Sequence, residues 1–339
     1  MAGFPTIRYM GSKDKLVPWI YEILNELDFK TALDAFSGSG VVSYLFKSIG
    51  KRVYSNDFLH FSSLMAKGLV ENSEETLGKK DMGILLSDDF QSEYFISKTF
   101  KDIFYSPKEL QFLDQVSANI QKLKSPQKKA LAYTALFRSC VKKQPRGVFT
   151  VSGNLERYDD GRRDLRLSLR EHFKEQVAVY NELVFDNGKK NLSFKQNIFD
   201  FNNKLYKPDL VYFDPPYVPK SDDNCYIKRY HFLEGLSKYW KDEVIMEHTK
   251  VKKIQKKYTP FSYRRTSAEA FDQLFGKFSK SILVLSYSSN AFPDLATLVA
   301  MIKKHKTRVA VHEKPYRYHF GNHASVNRAL VKEYLIIGK

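Results

Sequence analysis

Asp214-Pro215-Pro216-Tyr217 follows directly on the short apolar run Leu210-Val211-Tyr212-Phe213. Two consecutive prolines fix φ and remove two N–H donors, so the chain cannot continue a sheet there. It must leave the strand end as a rigid, extended turn whose carbonyls have no competing local donor. At the C-terminal edge of a parallel strand, those carbonyls and the Asp214 carboxylate face the crevice where open α/β sheets hold their ligands. A purely structural Pro-Pro exit is the plainer alternative. The apolar strand before the motif and a glycine turn upstream weigh against it.

That upstream turn is Asp34-Ala35-Phe36-Ser37-Gly38-Ser39-Gly40. Gly38 and Gly40 let the backbone take positive φ and admit a ligand close to it. No third glycine follows at the spacing of a dinucleotide fingerprint, which argues against a pyrophosphate ligand. The next strand, residues 51–57, ends in Asp57, where a carboxylate can accept both hydroxyls of a ribose. Asp34, at the head of the turn, suits an α-amino group. The pattern therefore favours a nucleoside carrying an amino-acid tail. Ahead of it lies Arg8-Tyr9-Met10-Gly11-Ser12-Lys13, a basic turn in which Lys13 can reach a carboxylate and Tyr9 can pack on a sugar or base.

These residues need a scaffold. Strand 31–36, the glycine turn, a helix over 41–49 closed by Gly50, and strand 51–57 make a βαβ unit, so part of the sheet is parallel. A helix is expected over 16–24 before it. From about 72 to 185 the chain is polar and basic, with helices expected over 107–123 and 127–141. After Pro145 and Gly147 comes an arginine-dense stretch. The α/β texture returns at Leu192. A second polar, basic stretch runs to Arg265, before a helix over 267–278, a strand over 281–287 and a closing hairpin of 307–311 with 332–337. The division expected is a discontinuous catalytic domain, 1–75 and 190–339, an inserted recognition region, 76–189, and a further basic insertion, 220–265.

The 339 residues are 43% hydrophobic and 14% aromatic, enough for a sizeable core, which excludes wholesale disorder. The net charge is +17, which with so many aromatics points to nucleic acid as partner. Cys140 and Cys225 are the only cysteines. They form no Cys-x-x-Cys pair, so neither a zinc module nor a disulfide framework is expected, in keeping with a reducing cytosol. No run approaches the length of a membrane-spanning helix, and residues 1–8 lack the apolar run of a signal peptide. His319 and His323 read as structural polar groups, and no metal is expected.

Taken in order, 8–13, 34–40, Asn56-Asp57, Asp214-Pro215-Pro216-Tyr217 and the closing Tyr334-Leu335-Ile336-Ile337 resemble the adenine-specific DNA methyltransferases of the Dam and FokI-methylase type. The similarity covers most of the chain outside the two basic insertions. It implies an α/β fold with a Rossmann-like, seven-stranded, mainly parallel sheet and helices on both faces. It also implies S-adenosylmethionine as methyl donor, and a largely helical target-recognition region between the glycine turn and Asp214. Tyr9, Lys13, Asp34, Phe36, Gly38, Gly40 and Asp57 would then hold the cofactor. Ile198 and Phe199, in the segment before the Asp214 strand, would cover its adenine ring, although a buried packing role is equally compatible with their type.

The chemistry so implied is the methylation of a poor nucleophile. The lone pair of adenine's exocyclic amine is delocalised into the ring. Asp214 and the Pro215 carbonyl can each accept one of its hydrogens, drawing the nitrogen towards a tetrahedral geometry, with Pro216 stiffening the turn. Asp214 also meets the positive charge that builds during attack. The target atom is inaccessible within a duplex, so the base must flip out, and Tyr217 would stack on it. Arg157, Arg162, Arg163 and Arg166, with Lys252, Lys253, Lys256 and Lys257, are the candidates for DNA contact. The resulting expectation is the modification component of a restriction system, acting on duplex DNA beside a cognate endonuclease. The rivals are N4-cytosine DNA methylation, where Ser usually replaces Asp214, RNA adenine methylation, where Asn is more usual, and a catalytically silent DNA-binding protein of the same fold.

Overall fold

Alternate residues of the central strands point to opposite faces of the sheet, and both sets are apolar. Ala32, Leu210 and Val284 fall in one buried cluster, and Leu33, Val211 and Leu285 in another. A sheet apolar on both faces must be covered on both. The computed structural model, which describes residues 9, 11–152, 161–219, 226–317 and 330–339, has that arrangement. The strands are β1 (Thr31–Asp34), β2 (Arg52–Asp57), β3 (Leu192–Lys195), β4 (Leu210–Phe213), β5 (Ile282–Ser288), β6 (Val309–Arg317) and β7 (Leu330–Gly338). They form a seven-stranded sheet in the order β6-β7-β5-β4-β1-β2-β3. The five strands from β5 to β3 are parallel, while β7 runs antiparallel to both β5 and β6. The expected sheet is thus found.

Two helices, α1 (Val17–Leu24) and α2 (Val41–Ser48), pack on one face through Ile20, Leu24, Leu45 and Phe46. Gly50 ends α2 at φ 75°, as its position after the helix predicts. Beyond β2, α3 (His60–Ala66) runs on into a π-helical turn, Lys67–Glu71. The inserted region is helical, with α4 (Pro107–Lys122), α5 (Pro126–Lys143) and α6 (Leu169–Asn181) its longest elements. Each is preceded by a serine N-cap, Ser106, Ser125 and Ser168 respectively. After β4 comes α7 (Tyr226–Leu236), broken at Tyr230. The opposite face is covered by α8 (Arg264–Lys277) and α9 (Leu295–Lys303).

Two expectations are corrected. The helix expected over 267–278 begins earlier, at Arg264, because the 3-10 turn Pro260–Ser262 leads almost directly into it. The strand expected over 307–311 extends to Arg317, carried along its antiparallel pairing with β7. The two stretches expected as basic insertions pack together. Phe100, Phe104, Phe149, Phe232 and Trp240 share one buried cluster with Phe61 and Met65 of α3, and the Phe149 N–H bonds the Arg229 carbonyl (2.9 Å). No described helix is long and apolar enough to cross a membrane.

Candidate active site

The sheet reverses its winding between β1 and β4, and ligands of such sheets lie at that switch point. β1 and β4 are paired so that Asp34 stands opposite Tyr212. Asp34 therefore ends β1 beside the exit where Asp214 leaves β4, while Asp57 ends β2 on the other side. One cleft is lined by all three carboxylates together with Phe36, Gly38, Tyr9, Lys13 and Pro216.

Asp34 is 1% exposed. Its Oδ2 accepts the Ser43 hydroxyl (2.6 Å), while Oδ1 has no hydrogen-bond partner among the described residues. Burial pushes its carboxyl up to about 7. Asp57 accepts the Gly38 N–H on Oδ2 and the Leu59 N–H on Oδ1, both at 2.8 Å. Burial still pushes it up to about 6. Gly38 adopts φ 50°, and a Cβ there would lie 2.9 Å from the Tyr9 ring, so both conformation and space exclude a side chain. Tyr9 is itself held by Tyr230, with parallel rings 5.0 Å apart.

Asp214 is held through one oxygen. Oδ1 lies 2.9 Å from the Lys13 ammonium and accepts the Tyr217 hydroxyl at 3.0 Å. Lys13 in turn donates to that hydroxyl oxygen (2.7 Å). Burial pushes the Asp214 carboxyl up, and Lys13 and Tyr217 partly pull it back. Burial alone would lower Lys13, but Asp214 and Glu333 more than offset it and leave the ammonium above its ordinary value.

Residues 9–289 match the model of a protein family, the D12 class N6 adenine-specific DNA methyltransferases. The match spans the glycine turn, Asp57 and the Asp-Pro-Pro-Tyr turn in one alignment. The chain belongs to this family. Among curated relatives, the Type II methyltransferase M2.HphI of Haemophilus parahaemolyticus is 29% identical over 93% of this chain and 92% of its own. The Type II methyltransferase M.FokI of Planomicrobium okeanokoites is 23% identical over 94% of this chain, and the modification methylase StsI of Streptococcus sanguinis 24% over 96%. This chain spans about half the length of the latter two, 50% in each case. It is an N6 adenine-specific DNA methyltransferase, and DNA is what it acts on.

Several expected site residues of the methyltransferase lie away from the cleft lining. Gly40 is the left-handed N-cap of α2, at φ 81°, and acts on the turn's conformation. Pro215 is buried between Asp214 and Pro216, which line the cleft. Ile198 is buried in the core, and Phe199 lies flat against Phe261, 5.9 Å away. Phe261 in turn packs edge-to-face with Phe36 (5.2 Å), which lines the cleft. The Tyr217 ring packs against Tyr287 (4.9 Å), and its hydroxyl is engaged by Lys13 and Asp214. Its hydroxyl thus holds Asp214, a role the sequence did not suggest beside the stacking expected of the ring.

The basic candidates divide. Arg163 pairs with Glu175 and Lys252 with Glu247. Lys257 sits between Glu243 (2.8 Å) and Glu234 (3.5 Å), both buried. Arg162 bonds the Pro145 carbonyl (3.1 Å). The charges of Arg163, Lys252 and Lys257 are largely spent within the fold. Arg166 is exposed, Lys253 lies on the small hairpin Ile245–Met246 and Lys253–Ile254, and Lys256 rims the cleft over the Tyr263 ring. Arg157, Arg8, Met10, Cys225, His319 and His323 lie outside the described residues. The lining residues that went unread in the sequence include Phe58 and Tyr226. Phe58 follows Asp57 directly and is an exposed aromatic at the cleft. Tyr226 opens α7 and faces Tyr9 at 5.8 Å. An aromatic directly after the strand-end carboxylate was the available signal for Phe58. Nothing local marks Tyr226.

Proposed function

We propose that the cleft holds S-adenosylmethionine beside a flipped-out adenine of duplex DNA, with Asp214 as the group that activates the target amine. The observation that carries this reading is the convergence of Asp34, Asp57 and Asp214 on one cleft at the switch point. The residues fit the cofactor: Asp34 Oδ1 is a buried acceptor awaiting a donor, suited to an ammonium, and Asp57 is fixed by two backbone donors with lone pairs left for a ribose. When bound, S-adenosylmethionine supplies an activated methyl group. The chain positions the amine. Asp214, tethered through Oδ1, offers its other oxygen to one N–H, and the Pro215 carbonyl offers itself to the second. As the nitrogen gains positive charge, the Asp214 carboxylate stabilises it and then helps carry the surplus proton away. No metal enters this scheme.

The same reading makes the chain the modification component of a restriction system, with an endonuclease of matching specificity as its partner and cytoplasmic DNA as its substrate. That M2.HphI and M.FokI are Type II methyltransferases and StsI a modification methylase supports it. Methylation-sensitive sequencing of DNA from cells expressing the chain tests it. Methyl groups on N6 of adenine in one short sequence context are expected. Methylated cytosine, or unmodified DNA, would overturn it.

Cofactor binding should carry a proton signature. Only the ionised Asp34 holds an ammonium, and burial pushes its carboxyl up to about 7. Affinity for S-adenosylmethionine is therefore expected to fall as pH drops from about 8 to about 6, by up to about tenfold per unit, with proton release on binding. Asp34→Asn should bind weakly and lose this dependence. Calorimetric titration across that range decides it, and a flat wild-type profile removes Asp34 from the site.

For DNA, Lys253 and Lys256 are retained as ligands of backbone phosphates. Neutralising both should flatten the log–log salt dependence of binding by about 0.9 for each phosphate no longer neutralised. Neutralising Lys252 should leave the slope unchanged, because Glu247 already compensates its charge. Equal effects from all three would return the whole run to the interface.

A further inference from the structure

Glu333, on β7, lies outside the residues matched to the family and takes no part in the scheme above. It is fully buried, at 0% exposure, and stands opposite Ser288 of β5. Its Oε2 is 4.0 Å from the Lys13 ammonium, which is 2% exposed and lies 2.9 Å from Asp214 on its other side. One buried cation thus sits between two carboxylates, contributed by the strand beyond β5 and by the exit of β4.

We infer that Glu333 is a positioning residue for methyl transfer, acting through Lys13 to keep Asp214 in place and its end of the cleft negatively charged. The inference rests on the proposed role of Asp214. Lys13 alone poses a difficulty for that role. An ammonium in contact with Asp214 cancels the charge that should meet the developing cation on the amine. Glu333 adds a second carboxylate on the far side of Lys13. In a water-poor site that added charge acts over several ångströms with little screening. Glu333 also draws Lys13 from behind, so that the ammonium is shared and bridges the two carboxylates. Tyr217 completes the tether through the same Asp214 oxygen. Among the described residues, the other ionisable groups facing this cluster are Asp34 on β1, Tyr212 on β4, Tyr226 on α7 and Tyr316 on β6.

The test is single-turnover methyl transfer to duplex DNA across a pH series, for wild type, Glu333→Gln, Glu333→Asp and Asp214→Ala. Glu333→Gln is expected to slow the chemical step about tenfold at neutral pH, with unchanged dissociation constants for S-adenosylmethionine and DNA. Its acid limb should move to lower pH, because removing a negative neighbour lets Asp214 stay ionised further down. Glu333→Asp keeps the charge but retracts it by one methylene, so its rate loss and limb shift should be smaller and in the same direction. If Glu333→Gln does not fold, Glu333→Asp is read in the same terms. A wild-type rate, or a loss uniform across pH with an unmoved limb, would mean that Glu333 only packs, and would overturn the inference. Asp214→Ala separates the two ideas: if it keeps wild-type turnover, the catalytic reading fails whatever Glu333 does.

Discussion

Asp214→Ala is expected to lower the single-turnover rate of methyl transfer by at least about 10²–10³, the usual loss when one preorganised electrostatic partner of a transition state is removed. Among the described residues, this carboxylate is the group at the exit of β4 able both to accept an amine hydrogen and to oppose the charge that follows. Alanine does neither. The loss should fall on the chemical step. Asp34 and Asp57, the proposed cofactor ligands, are untouched, so affinity for S-adenosylmethionine is expected to hold. The fold should hold as well. Asp214 lies at a partly exposed turn, and Lys13, which loses its nearest carboxylate, keeps Glu333 at 4.0 Å. The measurement is transfer of labelled methyl to duplex DNA with enzyme in excess, beside calorimetric cofactor binding and thermal unfolding. Near-normal rates in a folded, cofactor-binding variant would sink the assignment of this turn as the catalytic site.

The ends of the three strands were legible because their chemistry is local. Two prolines stop a strand wherever they fall, and the glycine turn declares its own backbone. That is why Asp34, Asp57 and Asp214 could be read as one site, and why the parallel part of the sheet followed. The partners of those groups were not legible. Lys13 meets Tyr217 across 204 residues of sequence, and no spacing rule links them. A lysine next to a glycine turn reads the same whether it faces a ligand or a buried Asp214. The same holds for Phe199: an apolar strand exit looks alike whether it covers a cofactor or stacks on Phe261. The basic run misled differently. Sequence counts charges but not their partners, and the polar stretch around Lys252 and Lys257 contains Glu234, Glu243 and Glu247, which absorb part of its charge.

The largest effect on stability is expected from Phe232→Ala, a residue in the stretch the sequence presented as a polar, basic insertion. Phe232 is fully buried. Its ring centroid lies 5.0 Å from those of Phe100 and Phe149, and 5.3 Å from those of Phe104 and Trp240. Phe100, Phe104 and Phe149 belong to the first insertion, whereas Trp240 lies with Phe232 in the second. One ring therefore ties together segments that are far apart in the chain, and truncating it removes their shared filling. A phenylalanine cut to alanine in a closed core costs about 3–5 kcal/mol, and the ring-on-ring packing around Phe232 places this site towards the upper end. Phe232→Leu refills much of the volume and should lose less. The consequence should reach the cleft. Phe232 shares α7 with Tyr226, which lines the cleft, and with Tyr230, which braces Tyr9. Loosening the cluster is therefore expected to weaken cofactor binding together with stability, although Phe232 touches no ligand. Denaturant unfolding of the full chain, with cofactor titration on the same samples, measures both. A Phe232→Ala protein within about 1 kcal/mol of wild type would mean that the two insertions hold themselves together without this ring. In that case the lobe would have to be treated as two independently stabilised pieces.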